Sequence, residues 1–77
     1  MSAVKRYANR SGNSGVVAYE LRDDAIRVKF RNGDVYVYSR ASAGAQAVVA
    51  MSALARAGQG LSTFISRYKP RYEPGGG

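Results

Sequence analysis

The sequence predicts an α+β domain: a three-stranded antiparallel meander followed by two C-terminal helices packed on one face, in the order β-β-β-α-α. Three observations carry this. Ile26, Val28 and Phe30 alternate with Arg27, Lys29 and Arg31, the period of two of a half-buried strand. Asn32-Gly33 follows at once, a pair that tolerates positive φ and marks a hairpin. The second half of the chain changes period, with an alanine-rich stretch and then Leu61, Phe64, Ile65 and Tyr68 at helical spacing.

Taken in order, residues 1–13 read as a flexible basic arm, with Lys5, Arg6 and Arg10 set among Asn, Ser and Gly. The run Ser11-Gly12-Asn13-Ser14-Gly15 is a loop signal. Residues 16–21 form a first strand around Tyr19, and Arg22-Asp23-Asp24 a short turn. Residues 25–31 and 34–39 are the second and third strands. Residues 41–57 form a helix by composition, with Ala47, Val48, Met51, Leu54 and Ala55 on one face and Ser42 as N-cap. Gly58 suits the left-handed position after its last turn. A shorter helix covers 61–68 and stops before Pro70. The single domain therefore spans 14–68, and 69–77 is a flexible basic and glycine-rich tail.

Two turns fit the second hairpin, and they present different surfaces. A two-residue type I′ loop pairs Arg31 with Asp34 and Phe30 with Val35, which puts Tyr36 and Tyr38 outside with Arg27, Lys29 and Arg31 as a basic-aromatic platform. A three-residue loop with Gly33 in a G1 bulge pairs Phe30 with Asp34, sends both tyrosines to the core layer and leaves Val35 and Val37 outside. A one-residue shift flips the strand, so only one can hold. In both, Arg27, Lys29 and Arg31 stay together on the outer face.

Composition narrows the function. Lys and Arg number 12 against five Asp and Glu, for a net charge of +7 and a pI near 10.3. Most of the cations are arginine, whose planar fork matches phosphate oxygens and stacks on bases. There is no histidine and no cysteine. Disulfides, thiolate metal sites, thiol nucleophiles and the commonest general base are therefore excluded. No paired carboxylates or hard-metal cage stand out, so neither an enzyme nor a cofactor or metal is expected. The N-terminal residues lack the apolar core of a signal peptide, and no apolar run reaches the roughly 18 residues of a membrane span. With no disulfides in so small a domain, a reducing, cytoplasmic setting is expected.

Two glycine motifs have bland explanations. Gly58-Gln59-Gly60 superficially matches a phosphate loop, but it lacks the lysine and the preceding strand and reads as a helix–helix turn. Gly75-Gly76-Gly77 compares with the diglycine end of conjugated modifiers and reads as a flexible end.

The order Val17-Ala18-Tyr19, Ile26-x-Val28-x-Phe30, Gly33, Tyr36-Val37-Tyr38, Gly60, Phe64-Ile65 and Tyr68 resembles the KTSC domain. That family is named after a domain at the C-terminus of some lysyl-tRNA synthetases and also occurs as small stand-alone proteins. The resemblance covers residues 14–68 and centres on the Tyr-x-Tyr. The Val-Pro that members often carry after it is replaced here by Ser39-Arg40-Ala41-Ser42. The resemblance implies a fold and RNA binding, and no catalytic residues.

The leading expectation is thus a non-enzymatic module for RNA or single-stranded DNA with low sequence specificity. Arg27, Lys29 and Arg31 meet phosphates, with Tyr36 and Tyr38 beside them in one register. Arg40, Arg67, Lys69 and Arg71 add contacts, and the arm at Lys5, Arg6 and Arg10 folds on binding. The competing expectation is a protein-interaction module, either a homodimer joined by open sheet faces or a phage-borne or accessory protein docking on an acidic partner. A basic membrane helix is not expected, because the helical region carries only Arg56 and Arg67.

Overall fold

The computed structural model describes residues 4–8 and 15–74. It is an α+β domain whose antiparallel sheet has five strands rather than three. They are β1 (Val4–Arg6), β2 (Val16–Leu21), β3 (Ala25–Phe30), β4 (Val35–Ser39) and β5 (Glu73–Pro74), in spatial order β1-β2-β3-β4-β5. Helices α1 (Ala45–Ala57) and α2 (Leu61–Tyr68) lie between β4 and β5 in the chain and pack on one face.

The central meander forms where alternation and turn residues demand it. On the helix side lie Ile26, Val28 and Phe30 of β3, with Tyr38 and Tyr36 opposite the first two. In β2 the register shifts between Val16 and Ala18, so Val16 pairs with Phe30 and Ala18 with Lys29. The extra residue, Val17, is pushed outward, and Val16 and Tyr19 both reach the core although they are three apart. The core of Tyr7, Val16, Tyr19, Ile26, Val28, Tyr38, Met51, Ala55 and Leu61 is contiguous. Burial of each large member contributes about 1.5–3 kcal/mol.

The two added strands come from segments expected to be arm and tail. β1 is short and fully exposed, but it pairs with β2 through Val4 to Glu20, Lys5 to Tyr19 and Arg6 to Ala18. Just beyond it, Tyr7 is buried at 3% exposure. Its N–H donates to the Val17 carbonyl at 3.0 Å, and its hydroxyl accepts from the Leu61 N–H at 3.2 Å, at the first turn of α2. β5 pairs Pro74 with Tyr36 and Glu73 with Val37. A proline is tolerated there because an edge strand need not donate from every residue.

The helices start and stop close to where the sequence places them, with one correction. Ser42 does not cap α1. Its hydroxyl accepts from the Ser39 N–H at 3.0 Å while the Ser39 hydroxyl accepts from the Ser42 N–H at 3.1 Å. This reciprocal turn ends β4, and α1 begins only after Gly44, whose carbonyl accepts from Val48 N–H at 3.1 Å. Val48, Met51 and Ala55 are the buried face of α1. Gly58 closes it in the left-handed conformation, as expected. Gly60 then turns the chain into α2 at φ 86°, where a Cβ would also sit 3.2 Å from Leu54 Cδ2. In α2, Leu61 is buried and Phe64 and Ile65 pack against the core. Tyr68, expected in the same stripe, is 65% exposed and rests on Phe64 at a centroid distance of 4.8 Å.

Candidate nucleic-acid interface

The register of the β3–β4 hairpin decides what the helix-free face offers. Phe30 N–H donates to the Asp34 carbonyl at 2.8 Å, Gly33 N–H donates to the Phe30 carbonyl at 2.9 Å, and Gly33 takes φ 95°. This is the three-residue loop with the bulge. Val28 therefore faces Tyr36, Ile26 faces Tyr38, and Val35 and Val37 lie on the open face beside Lys29 and Arg27. The platform with Tyr36 and Tyr38 outside does not form. Glycine at 33 is what lets the loop close this way, since a positive φ is strained for other residues.

Cross-strand partners place the open-face side chains in two rows. One row runs Arg6, Ala18, Lys29, Val35, and the other Val4, Glu20, Arg27, Val37, Glu73. Strands lie about 4.8 Å apart, so Arg6 and Lys29 originate about 10 Å from each other across the small Ala18. A shallow concavity of about 260 Å³ opens on this face, lined among others by Val4, Ala18, Arg27, Lys29 and Val35. Arg6 was placed in the arm by the sequence, and pairing of β1 brings it here.

The face is less uniformly positive than the alternation alone suggests. Glu20 is a buried carboxylate at 8% exposure, and its Oε1 lies 3.2 Å from Arg22 and 3.7 Å from Arg27. Glu73 sits on the same face, where its Oε2 accepts from the Ser39 hydroxyl at 2.8 Å. Sequence reasoning missed Glu20. The signal was available, because the turn at 22–24 sets Glu20 opposite Arg27 once β2 and β3 are paired.

The remaining predicted residues are dispersed. Arg31 does not stay in the strand with Arg27 and Lys29. The bulge carries it into the turn, where it is exposed and its N–H donates to the Gly15 carbonyl at 2.7 Å. Arg40 lies at the other end of β4, tied by its N–H to the Asp24 carbonyl at 3.0 Å. Arg67 is in the last turn of α2 and Lys69 follows it at φ 48°, both exposed on the helix layer. Arg71 is exposed on the way into β5. Lys5 pairs with Tyr19 and so points to the other side of the sheet from Arg6. Arg10 falls outside the described residues.

The tyrosines build a second feature, at the hairpin end of the helix side. Tyr38 is buried at 1%, and burial, then the neighbouring Tyr72 and Tyr36, pushes its hydroxyl pKa up to about 12. Tyr36 is only half-buried. Its pKa is also raised, first by loss of water and then by the Asp34 carboxylate, to which its hydroxyl donates at 3.2 Å. Ring centroids run Phe30 to Tyr36 at 5.3 Å, Tyr36 to Tyr72 at 4.1 Å and Tyr72 to Tyr38 at 5.7 Å. Tyr72, from the tail, is 49% exposed.

Among the described residues, no cluster of three or more metal-ligating side chains is assembled and no helix is long and apolar enough to cross a membrane. Tyr19, Ile26, Val28, Tyr38, Phe64 and Ile65, on which the sequence resemblance rests, pack in or against the core. No family model matches the chain, and no curated protein or solved structure is significantly similar to it.

Proposed function

We propose that the protein is a small, cytoplasmic, non-enzymatic module of KTSC-like type that binds single-stranded nucleic acid, RNA or DNA, with little sequence specificity. The observation that carries this is the row Arg6–Ala18–Lys29 on the helix-free face, two exposed cations flanking a small residue with no acid in the row. A phosphate backbone crossing at Ala18 meets a cation on either side. Arg27, held against Glu20, adds a weaker contact from the neighbouring row. The chain's surplus of +7 supplies longer-range attraction that salt screens. The half-exposed aromatics at the hairpin end lie on the helix side of the sheet, so they suit the bases of a strand that passes round the hairpin from the helix-free face.

The test is an anisotropy titration of a labelled single strand at several salt concentrations. If about four phosphates are engaged, log affinity falls against log salt with a slope of about −3 for a single strand. Arg6→Glu combined with Lys29→Glu should abolish binding at a salt concentration where the parent protein binds. Absence of binding at low salt, or an affinity indifferent to salt, refutes the proposal.

A second reading rests on Val35 and Val37, which the bulged register leaves on the open face beside Val4, itself 62% exposed. Those residues suit a protein partner, either a second copy of this chain through the open faces or an acidic protein. Sedimentation at high concentration tests the homodimer, and a clean monomer removes it. Replacing Val35 and Val37 together by Ser separates the readings, since dimerisation is lost while nucleic-acid binding through Arg6 and Lys29 need not be.

A further inference from the structure

We infer that the hairpin end of the sheet is a base-binding subsite, formed by Phe30 and Tyr36 with Arg31 and Asp34 and backed by Tyr72, that takes one unstacked base and prefers guanine to thymine or uracil. This rests on the nucleic-acid reading above and adds to it where a base goes and which edge is read.

Three observations meet at this place. The first is aromatic surface beyond what the core uses. Tyr7, Tyr19 and Tyr38 are sealed inside, whereas Phe30 and Tyr36 are half-buried and Tyr72 is about half exposed, yet the three are arranged ring to ring. Of these, Phe30 and Tyr36 line the concavity while Tyr72 stacks against Tyr36 outside its lining, so the ring surface offered to a base is that of Phe30 and Tyr36. The second is a concavity of about 410 Å³, lined by Gly15, Phe30, Arg31, Asn32, Asp34 and Tyr36. It is open and shallow, so a base would rest against its Phe30 and Tyr36 wall rather than be enclosed.

The third is a fixed polar rim. Asp34 Oδ2 accepts from Asn32 Nδ2 at 3.0 Å and from the Tyr36 hydroxyl at 3.2 Å, and the Asp34 N–H donates to Asn32 Oδ1 at 3.0 Å. The carboxylate is therefore oriented by its own turn. Its Oδ1 accepts no hydrogen bond among the described residues. An ionised carboxylate only accepts, so it selects a base edge rich in donors. Guanine presents N1–H and N2–H side by side. Thymine and uracil place one N–H between two carbonyl oxygens, which the carboxylate repels. Arg31, exposed and lining the same concavity as Asp34, supplies a cation for the phosphate next to the bound base.

The experiment compares three short labelled strands by anisotropy: an oligothymidine, the same strand with a central dG, and the same strand with a central abasic site. The dG strand is expected to bind about three- to tenfold more tightly than oligothymidine, the net gain from one hydrogen bond to Asp34 Oδ1. The abasic strand is expected to bind about tenfold more weakly, from lost stacking. Asp34→Asn should erase the preference for dG, and Tyr36→Leu should erase the difference between abasic and intact strands. Circular dichroism checks that both variants fold. Should Tyr36→Leu fail to fold, Tyr72→Ala, in the exposed tail, should weaken the intact strands selectively. Equal affinity for abasic and intact strands, with an unchanged salt slope, overturns the subsite while the phosphate-binding function stands. Equal affinity for dG and dT strands overturns the role of Asp34. No binding of any strand at low salt overturns both the subsite and the reading on which it rests.

Discussion

The two faces of the sheet come from one alternation, and they were shaped by different forces. The helix-covered face gathers Ile26, Val28, Tyr38 and Met51 at 1% exposure or less, so that side is specified by volume and burial. The open face is a compromise of Arg6, Lys29, Arg27, Glu20, Val35 and Val37, where no single term dominates. A core fills because apolar burial rewards every added methylene. An open face is fixed only by cross-strand pairs worth a fraction of a kcal/mol each, and so it is free to serve a ligand.

The sharpest way to break this comparison is to mutate one residue on each side. Tyr7→Ala should cost about 3–5 kcal/mol in a urea denaturation, because it leaves a cavity and removes the partner of the Leu61 N–H. Lys29→Ala should stay within about 0.5 kcal/mol. A small effect at Tyr7 would mean that the first strand is not part of the domain.

Alkaline pH probes the same core without a mutation. The folded state raises the Tyr38 pKa from 10.0 to about 12, so it holds a proton that the unfolded chain has already released. Stability from this group is therefore intact below pH 10 and is lost as pH rises from 10 towards 12. Denaturation midpoints across that window should fall, and Tyr38→Phe should flatten the decline.

The hairpin gives a smaller effect with a structural readout. Gly33→Ala should cost about 1–2 kcal/mol, since alanine is strained at this φ. Any retreat to the two-residue loop would turn Tyr36 and Tyr38 outward and show as new tyrosine exposure. On the open face, Glu20→Gln removes the carboxylate beside Arg27 and should tighten single-strand binding by about threefold, the scale of one weak ion pair. An unchanged affinity would show that Arg27 lies outside the contact.

The sequence carried the architecture of residues 16–68 because the period of β3, the Asn32-Gly33 turn and the stripes of α1 and α2 are local signals. It left the hairpin register open, since both turns use the same residues and only packing volume chooses between them. β1 and β5 were unreadable for another reason. Three polar or exposed residues and an edge Glu-Pro carry no periodicity, and their pairing depends on Tyr7 and Tyr72 finding partners far away in the chain. The site suffered most. Arg27 and Lys29 lie on the helix-free face, whereas Arg31 left it because a bulge ends the strand one residue early. Arg6 joined through a strand that the sequence did not announce.

The most direct test is to titrate isotope-labelled protein with a short single strand and map the amide shifts. Perturbations should concentrate at Arg6, Ala18, Lys29 and Val35 and extend to the hairpin at 31–36. They should weaken together as salt is added. Shifts confined to α1 and α2, or none at low salt, would contradict the assignment of the helix-free face as the nucleic-acid surface.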